Sequence, residues 1–478
     1  MSTRVHFVTL GCPKNRVDSE LMLGPLLEDG VHIAPSADDA DVVVINTCGF
    51  IEDAKQESID VILEAAKMRT DGELKQLVVT GCLVQRYADE LRAEIPEIDV
   101  LLGNGAYADV ARAIREASTG LDRIESPTFQ HSATMPRANS YLPHSAFVKV
   151  SEGCDQKCTF CIIPSLRGLQ RSRPLDDIRL EAETLVSRGV VELNLVAQDL
   201  TGYGYDQNPR VHLTDVVEAL STVDGLWWLR LHYLYPRHLP ARFFEALAHP
   251  KVAPYIDMPL QHISDPVLKR MRRGRGRDFI ENMLDRLRAA RPDAAIRTSF
   301  IVGFPGETDE DFEALCAFVE AQRFDHVGVF RFSREEGTPS HDLDGQVPTE
   351  VIEARHAHLM ELLREQSRQR LEKWVGQRIP VLVDGPSEET ELLLAARHAT
   401  MAPEVDGTIY INDGAARAGD LVEVEITETF DYDAVGHITQ PLRSAPARPR
   451  PRWSRVLLEY SCGSIPQVYP ILINSLFC

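Results

Sequence analysis

The chain has 478 residues, of which 44% are hydrophobic and 26% charged, an ordinary balance for a folded protein that excludes a disordered or fibrous one. This length exceeds that of one ordinary domain, so we expect two or three. The net charge of -21 argues against a broad surface for polyanions and favours a basic partner, because each phosphate contact requires a nearby lysine or arginine.

The first residues and the cysteines indicate a reducing compartment. No long apolar core of a secretory signal follows the N-terminus, and no apolar run reaches the roughly 18 residues that cross a bilayer. We therefore expect a cytoplasmic protein that does not bind a membrane. In that setting the nine cysteines are expected to be metal ligands, catalytic groups or buried hydrophobes rather than disulfides.

Residues 1–140 predict a βαβαβ domain with a parallel sheet. Strands at RVHFVTLGC, DVVVINTC and QLVVTGC alternate with helices, and each strand ends in a cysteine: Cys12, Cys48 and Cys82. Because the carboxyl ends of neighbouring parallel strands meet at one edge of a sheet, the three thiolates would converge there. Single strand-end cysteines are more commonly small buried hydrophobes, but the glycines beside these three (Gly11, Gly49 and Gly81) favour an iron-sulfur site.

A second domain is predicted at 141–370, after a polar linker at 126–144. Six strands alternate with helices, which indicates a partial (β/α)6 barrel with its chemistry at the carboxyl ends of the strands. The strands are expected near 147–150, 191–198, 228–233, 255–261, 295–303 and 326–332. An amphipathic helix at 348–374 should connect this barrel to the next domain.

The most specific motif, SEGCDQKCTFC, directly follows the first strand of that barrel. Cys154, Cys158 and Cys161 are spaced so that three thiolates can bind three irons of a 4Fe-4S cluster and leave the fourth iron open. A zinc knuckle is an alternative, but it usually requires a fourth cysteine or histidine, and a structural cluster is another. The lone triplet, the aromatic Phe160 and the barrel pattern resemble the radical S-adenosylmethionine (SAM) superfamily, which would make this triplet the catalytic centre.

Other positions carry weaker signals. Gly303 and Gly306 follow a predicted strand and would let backbone approach an adenosine-sized ligand closely, although a plain turn is equally compatible. For the basic run KRMRRGRGR at 269–277, a solvated helix face is favoured over contact with phosphate or with an acidic protein. Cys316 lies in an apolar helical pattern, and no partner pattern is found for Cys462 and Cys478, so these three are excluded from the clusters.

Residues 371–440 contain short strands separated by turn residues, which predicts a small all-β barrel. The remaining stretch, 441–478, is rich in arginine and proline and then apolar without a clear period. We assign neither a fold nor a function to it.

Residues 4–440 closely resemble the methylthiotransferase family. The resemblance is carried, in order along the chain, by GCPKNRVDSE, NTCGF, SEGCDQKCTFCIIPSLRG, AQDLTGYGYD, YIDMPLQHISDPVLKRMRRG and FIVGFPGETDEDF. Two further segments, HYLYPRHLP and residues 384–414, are similar to the branch that modifies an aspartate of ribosomal protein S-12 rather than to the branch that modifies tRNA.

The resemblance implies a 4Fe-4S cluster at each cysteine triplet, SAM as cosubstrate, and a TRAM domain that helps recognise the substrate. At Cys154, Cys158 and Cys161, SAM would be cleaved to a deoxyadenosyl radical that abstracts hydrogen from the aspartate β-carbon. The cluster at Cys12, Cys48 and Cys82 would deliver a sulfur methylated by a second SAM. Gln198 and Gly303 are expected to contact SAM, and an electron donor such as a flavodoxin-like protein is expected to supply the electron.

The charge of the C-terminal domain bears on the choice of substrate. Residues 371–440 contain 14 acidic and four basic residues, a net charge of -10, which should repel tRNA and attract a basic ribosomal protein, free or in the small subunit. The alternative within the family is a tRNA adenosine methylthiotransferase, which the basic run at 269–277 mildly favours. A non-catalytic iron-sulfur protein is the more distant alternative.

Overall fold

Three large β-sheets follow one another in the structure, a computed structural model that describes residues 3–447, and a fourth sheet has only two strands. Two are parallel sheets of six strands, and the third is a closed five-stranded barrel. This arrangement confirms the predicted fold class of an N-terminal parallel sheet, a central partial barrel and a C-terminal all-β barrel. Among the described residues, no helix is both long and apolar enough to span a bilayer.

The N-terminal sheet has the strand order β2-β1-β3-β4-β5-β6, and all its neighbours are parallel. Its elements are β1 (Arg4–Thr9), α1 (Pro13–Glu28), β2 (His32–Ile33), β3 (Val42–Thr47), α2 (Glu52–Thr70), β4 (Gln76–Gly81), α3 (Cys82–Glu94), β5 (Val100–Leu102), α4 (Tyr107–Arg115) and β6 (Leu121–Arg123). Because helices cover both faces, β3 and β4 are buried along their whole length and read as continuous apolar runs. The three predicted strands are present, and three shorter ones extend the sheet.

The central sheet has the order β14-β13-β12-β11-β10-β7 and is also parallel throughout. The elements of this domain are β7 (Ser145–Lys149), β8 (Ser151–Glu152), α5 (Ile163–Arg167), β9 (Arg171–Ser172), α6 (Leu175–Ser187), β10 (Glu192–Val196), α7 (Leu213–Ser221), β11 (Trp228–Leu231), α8 (Ala241–Leu247), β12 (Val252–Asp257), α9 (Asp265–Arg270), α10 (Arg277–Ala290), β13 (Ala295–Val302), α11 (Asp309–Gln322), β14 (His326–Arg331) and α12 (Thr349–Leu371). Strands β8 and β9 form a separate antiparallel pair. The carboxyl ends of the parallel strands lie at one rim of this open sheet. The loop that carries Cys154, Cys158 and Cys161 follows β8 at that rim.

The C-terminal barrel closes in the order β15-β16-β17-β19-β18. Its strands are β15 (Arg378–Pro386), β16 (Leu394–His398), β17 (Ile409–Asp413), β18 (Leu421–Thr429) and β19 (Ala434–Arg443). Alternate residues fill an apolar interior that includes Val381, Val383, Val422 and Val424. The last strand runs to Arg443, three residues beyond the predicted limit of this domain at 440.

The N-terminal domain packs directly on the central one. Val17 and Leu21 of α1 share an apolar cluster with Phe147 of β7, and with Val196 and Tyr233 near the carboxyl ends of β10 and β11. The connecting stretch 126–144 is irregular, as predicted for a linker, yet it is held in place because the buried Arg137 pairs with Glu20 and Glu181. The two parallel sheets therefore form one joined body.

Candidate functional site

The first cysteine triplet lies at the carboxyl edge of the N-terminal sheet. Cys12 precedes α1, Cys48 directly follows β3, and Cys82 is the first residue of α3 after β4. The strands β1, β3 and β4 are neighbours, so their ends bring the three side chains to one place, and all three are buried. The structure thus brings together the residues that strand-end geometry predicted.

Glycines allow these strand ends to approach one another. A β-carbon on Gly11 would stand 2.9 Å from Cys48 Cβ and 3.2 Å from its Sγ. One on Gly49 would stand 2.8 Å from the backbone nitrogen of Leu83 and 2.9 Å from the carbonyl carbon of Cys82. Real β-carbons do not approach other atoms so closely, so any side chain at these glycines would push neighbouring cysteines apart.

Polar side chains fix the loops that carry Cys12 and Cys48. Asn15 Nδ2 donates to the carbonyls of Leu10 at 2.9 Å and Thr47 at 3.0 Å, which joins the ends of β1 and β3. The hydroxyl of Ser58 accepts from the backbone nitrogen of Cys48 at 3.1 Å and donates to its carbonyl at 3.0 Å. Both side chains are buried, so these hydrogen bonds hold the loops rigidly in a water-poor setting.

Cys82 also accepts hydrogen bonds from outside its own strand. Asn104 Nδ2 and Arg167 Nη2 each lie 3.5 Å from Cys82 Sγ. Arg167 ends α5, only six residues after Cys161, so the loop that carries the second triplet supplies a cation to the first. Such donors stabilise the thiolate form of a metal-ligating cysteine.

The second triplet lies on the loop that follows β8. Cys154 is buried, while Cys158 and Cys161 are partly exposed. The backbone nitrogen of Cys154 donates to the carbonyl of Gly168 at 3.1 Å, and Arg273 Nη1 lies 3.6 Å from Cys158 Sγ. Phe160 packs in an apolar cluster with Phe304, which anchors the loop to the strand end after β13.

Five of the six triplet cysteines, all except Cys158, belong to one apolar cluster. Cys12, Cys48 and Cys82 pack there with Cys154 and Cys161, together with the apolar side chains of Phe50, Ile162, Ile163 and Leu166. The carboxyl edge of the N-terminal sheet therefore faces the carboxyl rim of the central one. The apolar side chains of this cluster lie between the two cysteine-bearing edges.

A buried charge network borders the shared cluster. Arg167 Nη1 pairs with Asp18 of α1 at 2.7 Å and with Glu152 of β8 at 3.2 Å, and Lys149 pairs with both carboxylates as well. Although burial opposes ionisation, Lys149 and Arg167 hold the pKa of Glu152 well below its ordinary value. The network locks the two domains together across the site.

Gln198, predicted to contact SAM, lies just after β10 beside this network. Its Nε2 donates to Glu152 Oε1 at 2.7 Å, while its buried Oε1 has no hydrogen-bond partner among the described residues. A buried acceptor of this kind is normally satisfied, so Gln198 can accept from an amine or hydroxyl of a ligand.

Gly303 is arranged differently. Its backbone nitrogen donates to Glu307 Oε2 at 2.8 Å, and a β-carbon there would stand 2.3 Å from Ile352 of α12. Neither its N–H nor its side-chain face is open to a ligand, so the geometry shows that this glycine permits close packing of α12. Cys316 is half-buried in α11 and does not join either triplet, and Cys462 and Cys478 lie outside the described residues.

Sequence reasoning missed Arg167 and Arg273. Arg273 belongs to the basic run at 269–277, which was interpreted as a solvated helix face. Lys269, Arg272 and Arg275 are exposed, but only Lys269 of these lies in a helix, because residues 271–276 connect α9 to α10. Arg273 is buried, so the interpretation is wrong for it. The only signal for Arg167 was its place in the long motif that includes the second triplet. The contacts of Arg167 with Cys82 and of Arg273 with Cys158 are visible only in the folded structure.

The pKa values of the triplet cysteines bear on how they would bind a metal. Burial raises the pKa of Cys82 to about 11, with Arg167 opposing the rise, and burial followed by the charge of Asp199 raises that of Cys154 to about 12. Such thiols hold their protons until a metal displaces them. Within residues 3–447 no three histidine, cysteine or carboxylate side chains stand close enough to hold one ion, whereas a cubane takes each cysteine on a different iron.

Comparisons with known protein families divide the chain into three parts. Residues 4–103 match the uncharacterized protein family UPF0004, residues 148–319 match the radical SAM superfamily, and residues 375–439 match the TRAM domain. These ranges cover most of the N-terminal sheet, the central sheet and the closed barrel; strands β6 and β14 lie outside them.

Full-length relatives share the whole arrangement. The chain is 54% identical to the ribosomal protein uS12 methylthiotransferase RimO of Anaeromyxobacter sp. (strain Fw109-5), over 94% of this chain and 96% of that one. It is 51% identical to RimO of Myxococcus xanthus, over 91% and 92%, and 45% identical to RimO of Geobacter sulfurreducens, over 91% and 98%.

A solved structure shares the fold. The radical SAM methyltransferase TsrM of Kitasatospora setae, determined with cobalamin and a 4Fe-4S cluster, superposes with a TM-score of 0.52 at 17% identity. The match covers 71% of this chain and 77% of TsrM. At that identity the likeness is one of architecture alone.

Proposed function

Because the chain belongs to the RimO family of ribosomal protein uS12 methylthiotransferases, we propose that its two cysteine triplets hold two 4Fe-4S clusters at one shared site. The family is one of radical SAM transferases, so SAM and 4Fe-4S clusters are its cofactors. In this proposal Cys154, Cys158 and Cys161 hold the cluster that binds SAM. Cys12, Cys48 and Cys82 hold the cluster that supplies sulfur.

The observation that carries the proposal is the common apolar cluster of the two triplets. A carbon radical reacts with whatever it meets first, so the sulfur it captures has to lie within reach and water has to be kept away. Phe50 and Ile162 flank the cysteines and exclude solvent there. A single enzyme therefore joins radical formation and sulfur delivery in one enclosed space.

When bound, SAM and the two clusters supply the radical that removes hydrogen from the target β-carbon and the methylated sulfur that replaces it. The protein's own residues orient these groups. Gln198 Oε1 would accept a hydrogen bond from SAM, and Arg167 and Arg273, which donate to Cys82 and Cys158, would balance the charge of the thiolates. The weaker prediction of a SAM contact at Gly303 rests on its place at a strand end, not on an open N–H.

The substrate in this proposal is an aspartate of ribosomal protein uS12, the same protein as S-12, and not tRNA. The relatives named above all act on uS12, so the tRNA-modifying alternative is not favoured. The C-terminal barrel supports this choice because exposed carboxylates such as Glu389, Asp413 and Glu428 face solvent on a domain with few cations. Such a surface attracts a basic ribosomal protein and repels nucleic acid.

The proposal also includes an electron donor and the limits of the three domains. Reductive cleavage of SAM requires one electron, for which we propose a flavodoxin-like donor in the cytoplasm. We also propose domain limits at 140, 370 and 440, which lie beyond the last strand of the first two sheets and within the last strand of the barrel. They would place the functional unit within residues 1–440.

Iron and product analysis of the same preparations tests the two-cluster site. Anaerobically reconstituted enzyme should bind about eight irons per chain, and Cys48→Ala should bind about four. The matched control, Cys316→Ala, should keep the wild-type iron content because Cys316 lies away from both triplets. An unchanged iron content in Cys48→Ala would refute the second cluster.

Mass spectrometry of the substrates tests the activity. Cells that contain the gene should carry a methylthio group on the target aspartate of uS12, and cells that lack it should not. Purified enzyme should form deoxyadenosine from SAM and reductant, and Cys158→Ala should not. A change confined to tRNA nucleosides would overturn the assignment of the substrate.

A further inference from the structure

Buried cations in this protein are almost all paired with carboxylates. Ten lysine or arginine side chains are buried among residues 3–447, and eight of them form ion pairs with aspartate or glutamate: Arg137, Lys149, Arg167, Arg173, Arg230, Arg297, Arg355 and Arg397. A ninth, Arg273, donates to Cys158 Sγ and to the carbonyl of Pro259. The tenth is Lys14.

Lys14 is fully buried, and its ammonium group has no hydrogen-bond partner within the described part of the chain. Its Nζ lies over the ring of Tyr233, 3.6 Å from the ring centroid. The face of an aromatic ring attracts a cation, but it does not replace the hydrogen bonds that three N–H groups lose on burial. Buried charges in proteins are normally paired, so a buried ammonium without an anion offers a place for one.

The position of Lys14 joins the two halves of the proposed site. It lies in the first turn of α1, two residues after Cys12, on the N-terminal domain. Tyr233 lies two residues beyond β11 at the carboxyl rim of the central sheet. The ammonium therefore stands where the cysteine-bearing edges of the two sheets face each other.

Tyr233 is held in a special conformation. Its φ of 61° is in the left-handed region, which a tyrosine rarely adopts, and its backbone nitrogen donates to Asp257 Oδ2 at 3.0 Å. Residues kept in such conformations by their surroundings concentrate at ligand sites. The protein thus fixes the aromatic surface on which the Lys14 ammonium rests.

We propose that Lys14 binds the side-chain carboxylate of the target aspartate and so positions its β-carbon between the two triplets. The inference rests on the proposed function, which supplies an aspartate as the substrate. The β-carbon is bonded directly to the carboxylate carbon, so an ion pair there fixes the reacting atom within one bond. The same ion pair distinguishes aspartate from asparagine, since the neutral amide leaves the buried ammonium without an anion.

Binding of uS12 to the anaerobically reconstituted holoenzyme tests the inference. Fluorescence anisotropy would give the affinity for a labelled uS12 that carries either the native target aspartate or asparagine in its place. For wild-type enzyme we expect asparagine to weaken binding at least tenfold. Lys14→Met, which keeps the length of the side chain and removes its charge, should weaken binding of the aspartate form to a similar degree and should bind both forms equally.

The matched control is Lys75→Met, at a side chain that is 78% exposed, and it should keep the wild-type preference for aspartate. Iron content measured on each variant shows whether the clusters are present. If Lys14→Met does not retain iron, the wild-type comparison decides alone: a tenfold preference for aspartate supports the inference, and equal binding overturns it.

An unchanged preference for aspartate in iron-replete Lys14→Met would also overturn the inference. A merely structural role of Lys14 would weaken both substrates by the same factor and leave their ratio unchanged. Failure of wild-type enzyme to bind or modify either form of uS12 would instead refute the proposed function, and the inference with it.

Discussion

Arg397 forms an ion pair across the interface between the C-terminal barrel and the central domain. Its replacement should destabilise the packing of these two domains against each other. Its guanidinium lies 2.8 Å from Glu192 Oε2 and 2.7 Å from Asp384 Oδ2, and it is only 5% exposed. Although burial opposes ionisation, Arg397 and Arg230 hold the pKa of Glu192 well below its ordinary value. Arg397→Met keeps the apolar stem but leaves two buried carboxylates short of a cation.

Removing one partner of a buried ion pair costs about 3–5 kcal/mol, because the other charge stays desolvated. Part of this cost is offset here, since Glu192 keeps Arg230 at 3.0 Å and Asp384 keeps His144 at 3.0 Å. We therefore expect a loss near the lower limit, about 3 kcal/mol, which is roughly a 150-fold rise in the population of the open joint. Arg378→Met removes an exposed pair with Glu425 on the same barrel and should cost less than about 1 kcal/mol.

Limited proteolysis under native conditions measures this opening, because cleavage follows the population of the open form when closing is fast. Cleavage between the central domain and the barrel should be about 100-fold faster in Arg397→Met than in wild type, and nearly unchanged in Arg378→Met. Adding Asp384→Asn should recover part of the loss, since it removes one unpaired charge. A rise of less than tenfold in Arg397→Met would refute the reasoning.

Two further predictions concern a buried histidine and a strand-end glycine. His262 accepts from the backbone nitrogen of Ser264 at 3.0 Å, and burial lowers its pKa to about 4, so only the unfolded chain takes up its proton as the pH falls from 6.5 towards 4. The free energy of unfolding at pH 5 should therefore be about 2 kcal/mol lower than at pH 8 through this group. Denaturation curves of His262→Gln, recorded at both pH values, should lose that part of the pH dependence. The same pH dependence in the variant and in wild type would contradict the prediction. Gly81→Ala places a β-carbon 2.5 Å from Asn46 Oδ1 at a φ of 102°. The variant should therefore melt at a lower temperature and lose iron from the first triplet. The control Gly72→Ala, which has a φ of 80° and open space around the added β-carbon, should lower the free energy of unfolding by about 1 kcal/mol and keep its iron.

The sequence predicted the strands that carry the cysteines because each is a continuous apolar run bounded by a helix. Strands β2, β5 and β6 were missed, since runs of two or three residues have no period to recognise. The convergence of Cys12, Cys48 and Cys82 followed from parallel topology alone. Their ligation of a cluster stays a prediction that the iron measurement has to test.

What the sequence could not reveal was the way the two domains share their charges. Arg167 lies 149 residues from Asp18, yet their side chains are 2.7 Å apart, and no local pattern connects them. Arg273 was hidden in a run of similar residues that mostly face solvent. Lys14 lies two residues after Cys12 in the sequence, but its burial and the lack of a hydrogen-bond partner for its ammonium group can be seen only in the folded structure.

The shared charges also bear on how the chain is made. Helix α1 carries Asp18 and Glu20, both buried, whose partners Arg137, Lys149 and Arg167 come 117 to 149 residues later. During synthesis the N-terminal domain therefore leaves the ribosome with two anions that have no counterions yet. Until the start of the central domain has emerged, water has to solvate those carboxylates, so the face of α1 that covers the first triplet stays open. The two sheets can thus close over these cysteines only after the start of the central domain has emerged.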